Sequence, residues 1–234
     1  MQTREQLPDT SIQSLKVIFW RFCIVVVFSI AFAYIEASVV VYLRVIFHPS
    51  GFTFPLTEFG STALWKQLLI TETGREAATL LLIFTASWLF GRNRQQRFAF
   101  FLTIFAVWDI FYYIWLKVLI DWPASLMDWD ILFLIPTVWA GPVVAPILIS
   151  LTLLAFAAII LYRSCSTGTI KPTPIDWLVF TLAAFLVVVS FCIAGLHAAE
   201  HDFKSHFHWL LFAAGPMSAV VMFTKCLVKS KYPL

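Results

Sequence analysis

An all-α, polytopic transmembrane bundle of about six helices is the fold this sequence predicts, and three observations predict it. Of the 234 residues, 61% are hydrophobic and only 12% charged, against roughly 25% charged in an ordinary soluble domain. Six apolar stretches are each long enough to cross about 30 Å of hydrocarbon, which takes roughly 20 helical residues. Lys and Arg concentrate in alternate connections, the pattern that keeps basic loops in the cytoplasm. The apolar content excludes disorder. The net charge of +3, with no continuous basic stripe, gives no support for a nucleic-acid partner. The partner implied by composition is the lipid bilayer.

The chain reads as one integral membrane domain, 1–234, with 1–16 a polar cytoplasmic flank. That flank is mixed in charge, and the long apolar run behind it lacks a small-residue cleavage site, so the first helix is expected to act as its own membrane signal. The expected spans are 17–43, 64–90, 98–120, 142–162, 176–197 and 208–228. The fourth follows an apolar run interrupted by Pro136, Pro142 and Pro146. Proline removes a helix donor and crowds the preceding turn. A re-entrant or interfacial segment at 131–140, followed by a proline-kinked span, is therefore expected.

Six crossings place eleven of the sixteen basic residues on one face: the N-terminal flank, the 92–97 and 163–171 connections, and the tail. Both termini are then cytoplasmic. The opposite face and outer half receive ten of the thirteen acids and all five histidines, a division that basic-loop bias only partly explains. Chemistry is expected on that outer side.

Charged groups at membrane depth cost several kcal/mol unless paired or hydrated, so each marks a candidate site. Glu36 lies in the outer half of the first span. Glu72 and Glu76 are an i, i+4 pair, which a helix places on one face. Asp109 falls ~16 Å into the third span at 1.5 Å per residue, a depth Glu76 reaches from the other side. Asp109, Tyr113 and Lys117 repeat at i, i+4, i+8, so the phenol could bridge its neighbours. With Arg44, Arg75 and Asp130, these residues form the expected buried polar cluster. Either the acids pair with Arg75, Lys117 and Arg44 and lock helices together, or four acids against three bases leave one group for a cation or a proton.

The segment GLHAAEHDFKSHFHW contains His197 and His201, which on a helix point the same way and suit a divalent transition metal. Glu200, with Glu76 and Asp109 from the cluster, completes the candidate ligand set. His206-x-His208 would offer a similar pair on an extended segment, and interfacial histidines with no ligand are the alternative. Haem is disfavoured because spans two to four carry no facing histidine. The four cysteines include no CxxC or close pair, which excludes zinc-knuckle and thioredoxin-type motifs.

Other features read as structural. Gly74/Ala78, Gly141/Ala145 and Gly215/Ala219 are small-xxx-small pairs. Trp65, Trp122, Trp129, Trp177 and Trp209 read as an interfacial belt. The acidic, aromatic DWPASLMDWD is either a turn capping the bundle or the lip of a site.

The blocks IEASVVVYLR, GREAATLLL, WDIFYYIWLK and WPASLMDWDILFLIP resemble a group of bacterial multi-pass membrane proteins that have no assigned activity. The resemblance covers about residues 30–150 and implies a bacterial inner-membrane location. Three function classes follow from the residues: a cation- or metal-binding site in the outer polar cluster, a transporter or proton-coupled carrier, and a structural or accessory subunit of a membrane complex.

Overall fold

The computed structural model describes residues 7–48, 51–56, 63–166 and 170–231. Six long helices run in chain order: α1 Leu7–Phe47, α2 Ala63–Phe90, α3 Arg94–Ile120, α4 Val144–Ser166, α5 Pro174–Leu196 and α6 Trp209–Lys231. A hairpin of β1 Trp129–Phe133 and β2 Trp139–Pro142 separates α3 from α4, and a short 3-10 helix, Phe203–His206, lies between α5 and α6. All helices except α2 contain a stretch long and apolar enough to cross a membrane. In α2, Lys66, Glu72, Arg75 and Glu76 interrupt the apolar run.

Large apolar side chains point outward along these helices. Leu89 is 83% exposed and Leu210 89%, an arrangement that water would penalise at about 25 cal/mol per Å² and hydrocarbon does not. Together with the five apolar helices, this makes the chain a membrane protein.

Local chemistry sets the boundaries. The α2–α3 turn tightens at Gly91, where a Cβ would sit 2.5 Å from the Arg97 backbone nitrogen. Asn93 caps α3, its side chain accepting from the Gln96 N–H. Helix α3 stops at Asp121, which adopts φ 54° and donates its N–H to the Lys117 carbonyl. A capping box opens α5: the Thr173 hydroxyl accepts from the Asp176 N–H, and the Asp176 carboxylate accepts from the Thr173 N–H. Helix α1 runs 41 residues, well past the expected 17–43.

The 131–140 segment is not helical. It belongs to an antiparallel hairpin that pairs Trp129 with Pro142 and Asp130 with Gly141, with an irregularity between Ile131 and Phe133. The hairpin satisfies backbone groups that three prolines would leave open in a helix. The fourth helix differs from expectation for the same reason. Pro142 ends β2 and Pro146 falls in the first turn of α4, where a residue's N–H has no intrahelical acceptor and proline's lack of one costs no bond. The proline in a helix interior is Pro216, in α6.

One core joins α1, α2, α3, α4 and the end of α6 around Val25, Ile83, Phe100, Ile104, Trp108 and Phe223. A second gathers Trp129, Ala140, Phe191, Phe203, Phe207 and Phe212 around the hairpin. Trp129 is therefore a core residue, not part of a belt; Trp177 and Trp209 are exposed, and the Trp65 side chain lies outside the described residues. Helices α5 and α6 pack mainly on each other and meet the rest through β2 and, sparsely, α4. Two glycines make those contacts close. A Cβ on Gly215 would lie 2.6 Å from Val187 Cγ2, and one on Gly195 would collide with the Val138 carbonyl. Gly74 faces open space and closes no packing, and Gly141 lies in β2 against the Phe191 ring.

Gly195→Ala is accordingly expected to destabilise the fold by about 1–3 kcal/mol, because backbone must yield on one side or the other. Thermal unfolding in detergent reads this. Wild-type stability in the variant would mean that α5 and the hairpin are not pressed together.

Candidate functional site

Three buried polar arrangements converge where α1, α2, α3 and the hairpin meet. In the first, Arg75 donates through Nη1 to Glu36 on α1. The same guanidinium donates through Nη2 and Nε to Glu72 Oε2, at 2.7 and 2.8 Å. The Thr79 hydroxyl donates to the second Glu36 oxygen at 3.4 Å. One turn on, Glu76 accepts the Leu134 backbone N–H at 2.9 Å, fixing α2 to the hairpin.

In the second, Arg44 and Asp130 form a buried ion pair at 2.7 Å, with side chains 8% and 2% exposed. The Arg44 guanidinium lies over the rings of Phe52 and Trp122, 4.3 and 3.9 Å from their centroids. Weak hydration of the guanidinium suits it to this stacking. The Tyr112 hydroxyl and the Ile131 N–H both donate to Asp130, at 3.3 and 2.9 Å. In the third, the Ser150 hydroxyl of α4 donates to Asp109 at 2.7 Å.

Glu36, Arg75, Glu76, Asp109 and Tyr112 of these arrangements border a cavity of about 960 Å³, while Arg44, Glu72 and Asp130 border a smaller space beside it. The polar end of the larger cavity is formed by Glu36, Arg75, Glu76, Asp109, Tyr112 and Tyr113. Along α3 the lining recurs at Gln95, Phe98, Leu102, Phe105, Trp108, Asp109 and Tyr112, the three- and four-residue steps of one helix face. From Arg94 to Tyr113 that face extends roughly 29 Å at 1.5 Å per residue, close to the thickness of the hydrocarbon. Helices α4, α5 and α6 supply an apolar wall that includes Phe156, Val187, Phe191 and Ala219. The smaller space, of about 120 Å³, adjoins the polar end and shares Arg75, Glu76 and Tyr112 with it.

No protein-family model, curated protein or solved structure matches the chain.

The expected cluster is thus partly assembled. Glu36, Glu72, Arg75 and Glu76 gather as expected, Arg44 and Asp130 pair beside them, and Asp109 and Glu76 border one cavity. The i, i+4, i+8 bridge on α3 does not form. Lys117 turns outward to Asp121 at 2.7 Å, because the span ends there and solvent is the cheaper place for an ammonium. That ammonium holds the exposed Asp121 carboxyl below the usual range. Tyr113 packs its ring on Tyr112 and Trp122 and lines the cavity, while the hydroxyl bonded to Asp130 belongs to Tyr112. Tyr112 and Ser150, which donate to Asp130 and Asp109, are the members of this network that sequence reasoning missed. Tyr112 carries a signal, since it stands at i+3 from Asp109 and shares its face.

The expected metal set does not assemble either. Helix α5 ends at Leu196 with His197 as its cap, so the His197-x-x-x-His201 spacing never lies on one helix. His201 is exposed. Glu76 and Asp109 line the cavity, and the histidines do not. His197 and Glu200 group instead with His206. Asp128 accepts from the Ala124 and Ser125 N–H groups, which makes the middle of DWPASLMDWD a turn, while Trp122 and Asp130 at its two ends hold Arg44.

Proposed function

We propose that the protein binds a single-chain amphiphile of the surrounding membrane, its tail along α3 and its head among the carboxyl groups at the polar end of the cavity. The observation that carries this reading is the joining, in one space, of a long apolar wall to a cluster with more acids than bases. A volume of about 960 Å³ is at the upper end of the range for ligand sites. A cluster that served packing alone would need no such space beside it. The excess of carboxyl groups favours a head that carries ammonium or hydroxyl donors over one that carries a carboxylate.

The same reading takes α2 as a sixth span, its charges neutralised by α1 and the hairpin, with both termini in the cytoplasm and the polar end in the outer half of a bacterial inner membrane. A carrier reading shares this site. It is favoured by the lining that continues from the polar end to Arg94 and Gln95.

The test is native mass spectrometry of the full chain in detergent with dodecylamine, dodecanol and dodecanoic acid. The amine is expected to bind roughly tenfold more tightly than the acid, a difference of about 1.4 kcal/mol. Ala219→Phe, which fills the apolar wall, should weaken all three, and Glu76→Gln should narrow the preference for the amine. Absence of saturable binding by any probe, or Ala219→Phe binding like wild type, would defeat the reading.

A further inference from the structure

The connection between α5 and α6 carries a second constellation, outside the cavity. His197 Nδ1 lies 2.8 Å from Glu200 Oε1. His206 Nε2 lies 3.3 Å from Glu200 Oε2 and 3.6 Å from Asp202 Oδ2. The two imidazoles stack face to face, centroids 3.8 Å apart and planes inclined by only 10°. Two ring nitrogens are thereby turned toward one carboxylate. Atoms able to act as ligands on His197, Glu200 and His206 all lie within 4.8 Å of one another.

A simple hydrogen-bonded trio accounts for half of this. The His197–Glu200 contact has good geometry, but His206 Nε2 is buried and makes no hydrogen bond despite its two carboxylate neighbours. Leaving such a nitrogen unsatisfied forfeits hydration with nothing in return. An ion at the centre of the trio would satisfy it and draw both imidazoles and the carboxylate to one point. Bonds of about 2.0–2.1 Å at tetrahedral angles separate ligand atoms by about 3.4 Å, so the set needs only a small closure. Glu200 is half exposed and can supply that movement by rotating. Asp202 stands next to His206 as a further oxygen donor, and the exposure of Glu200 and Asp202 leaves the ion a path from solvent.

We propose that His197, Glu200 and His206 bind one divalent cation of the zinc class. Two imidazoles with one carboxylate form a donor set that suits zinc over magnesium or calcium, which take oxygen ligands. The position gives the ion a mechanical role. Ala198 accepts the Leu56 N–H at 2.9 Å, and Phe203 and Phe207 pack on Trp129 of β1, with centroids 4.8 and 6.0 Å away. Holding residue 197 to residue 206 closes this loop on itself and keeps both phenylalanines on the strand that carries Asp130. The inference rests on the loop geometry alone and is independent of what the cavity binds.

The experiment uses the full chain in detergent, stripped with a chelator and titrated with Zn²⁺ by calorimetry. Co²⁺ serves as a second probe, read by the visible absorption of a tetrahedral site. Wild type is expected to take one equivalent. Loss of an outer-shell partner alone costs roughly 10–100-fold in metal affinity, so His197→Ala, His206→Ala and Glu200→Ala should each lose about 100-fold or more. His201→Ala and His208→Ala, in the same segment, should bind like wild type. Glu200 is exposed and its truncation leaves packing intact, so that variant decides the matter even where a histidine variant fails to fold. The proposal is overturned by the absence of saturable one-to-one binding in wild type, or by Glu200→Ala binding as tightly as wild type.

Discussion

Asp130→Ala is expected to lower folding stability by about 3–5 kcal/mol, the range for removing one partner of a buried ion pair. The loss arises less from the missing attraction than from what remains. Arg44 is 7% exposed, enclosed by Phe52 and Trp122, and its Nη1 already makes no hydrogen bond. Without Asp130 its charge has no counterion in the hairpin, and the Tyr112 hydroxyl and the Ile131 N–H lose their acceptor as well. The double variant Arg44→Met, Asp130→Leu should recover much of the loss, because replacing both partners with apolar groups of similar volume is often neutral. Equilibrium unfolding in detergent, followed by near-ultraviolet circular dichroism of the packed tryptophans, measures both. A single variant within about 1 kcal/mol of wild type would show that Arg44 reaches water.

Arg75→Met should rank second, at about 3 kcal/mol, below the first because the Arg75 side chain is 23% exposed and part of its charge is already screened. Arg75 is the base held between Glu36 and Glu72. Its removal leaves two facing carboxylates, with Glu76 one turn away. Neutralising one of them should relieve that repulsion, so the double variant Arg75→Met, Glu36→Gln is expected to recover part of the loss in the same unfolding measurement. A double variant no more stable than Arg75→Met would count against the triad as drawn.

What was legible in the sequence follows the range over which each interaction acts. Helix α3 was legible because its apolar run is long and broken by a charge only at Asp109 before Lys117, but its start at Arg94, ahead of the expected 98, is set by the Asn93 cap, to which an apolar run is blind. The Arg75–Glu72 pair is local, three residues apart on one helix. Glu36–Arg75 and Arg44–Asp130 join positions 39 and 86 residues apart, and nothing local tells one outer acid from another as the partner. Prolines showed that 131–140 could not be a regular span. They could not show a hairpin, because a short apolar run has no distinguishing period and its pairing depends on the aromatic cluster beneath it. The histidine reading failed at one point: it assumed that a helix continues past His197, whereas α5 ends at Leu196. The turn that follows brings His206, not His201, beside His197 and Glu200.

Pro216 gives the cavity wall a mechanical character of its own. In a regular helix the Phe212 carbonyl would accept an N–H from residue 216, and proline has none. Helix α6 therefore lacks one rung at the level where Gly215 and Pro216 border the cavity, while α5 opposite it has no interior proline. Should the cavity take the guest proposed above, the wall expected to yield is α6, about that missing rung, so that the compliance of one helix would set the bore along with the size of the side chains that line it.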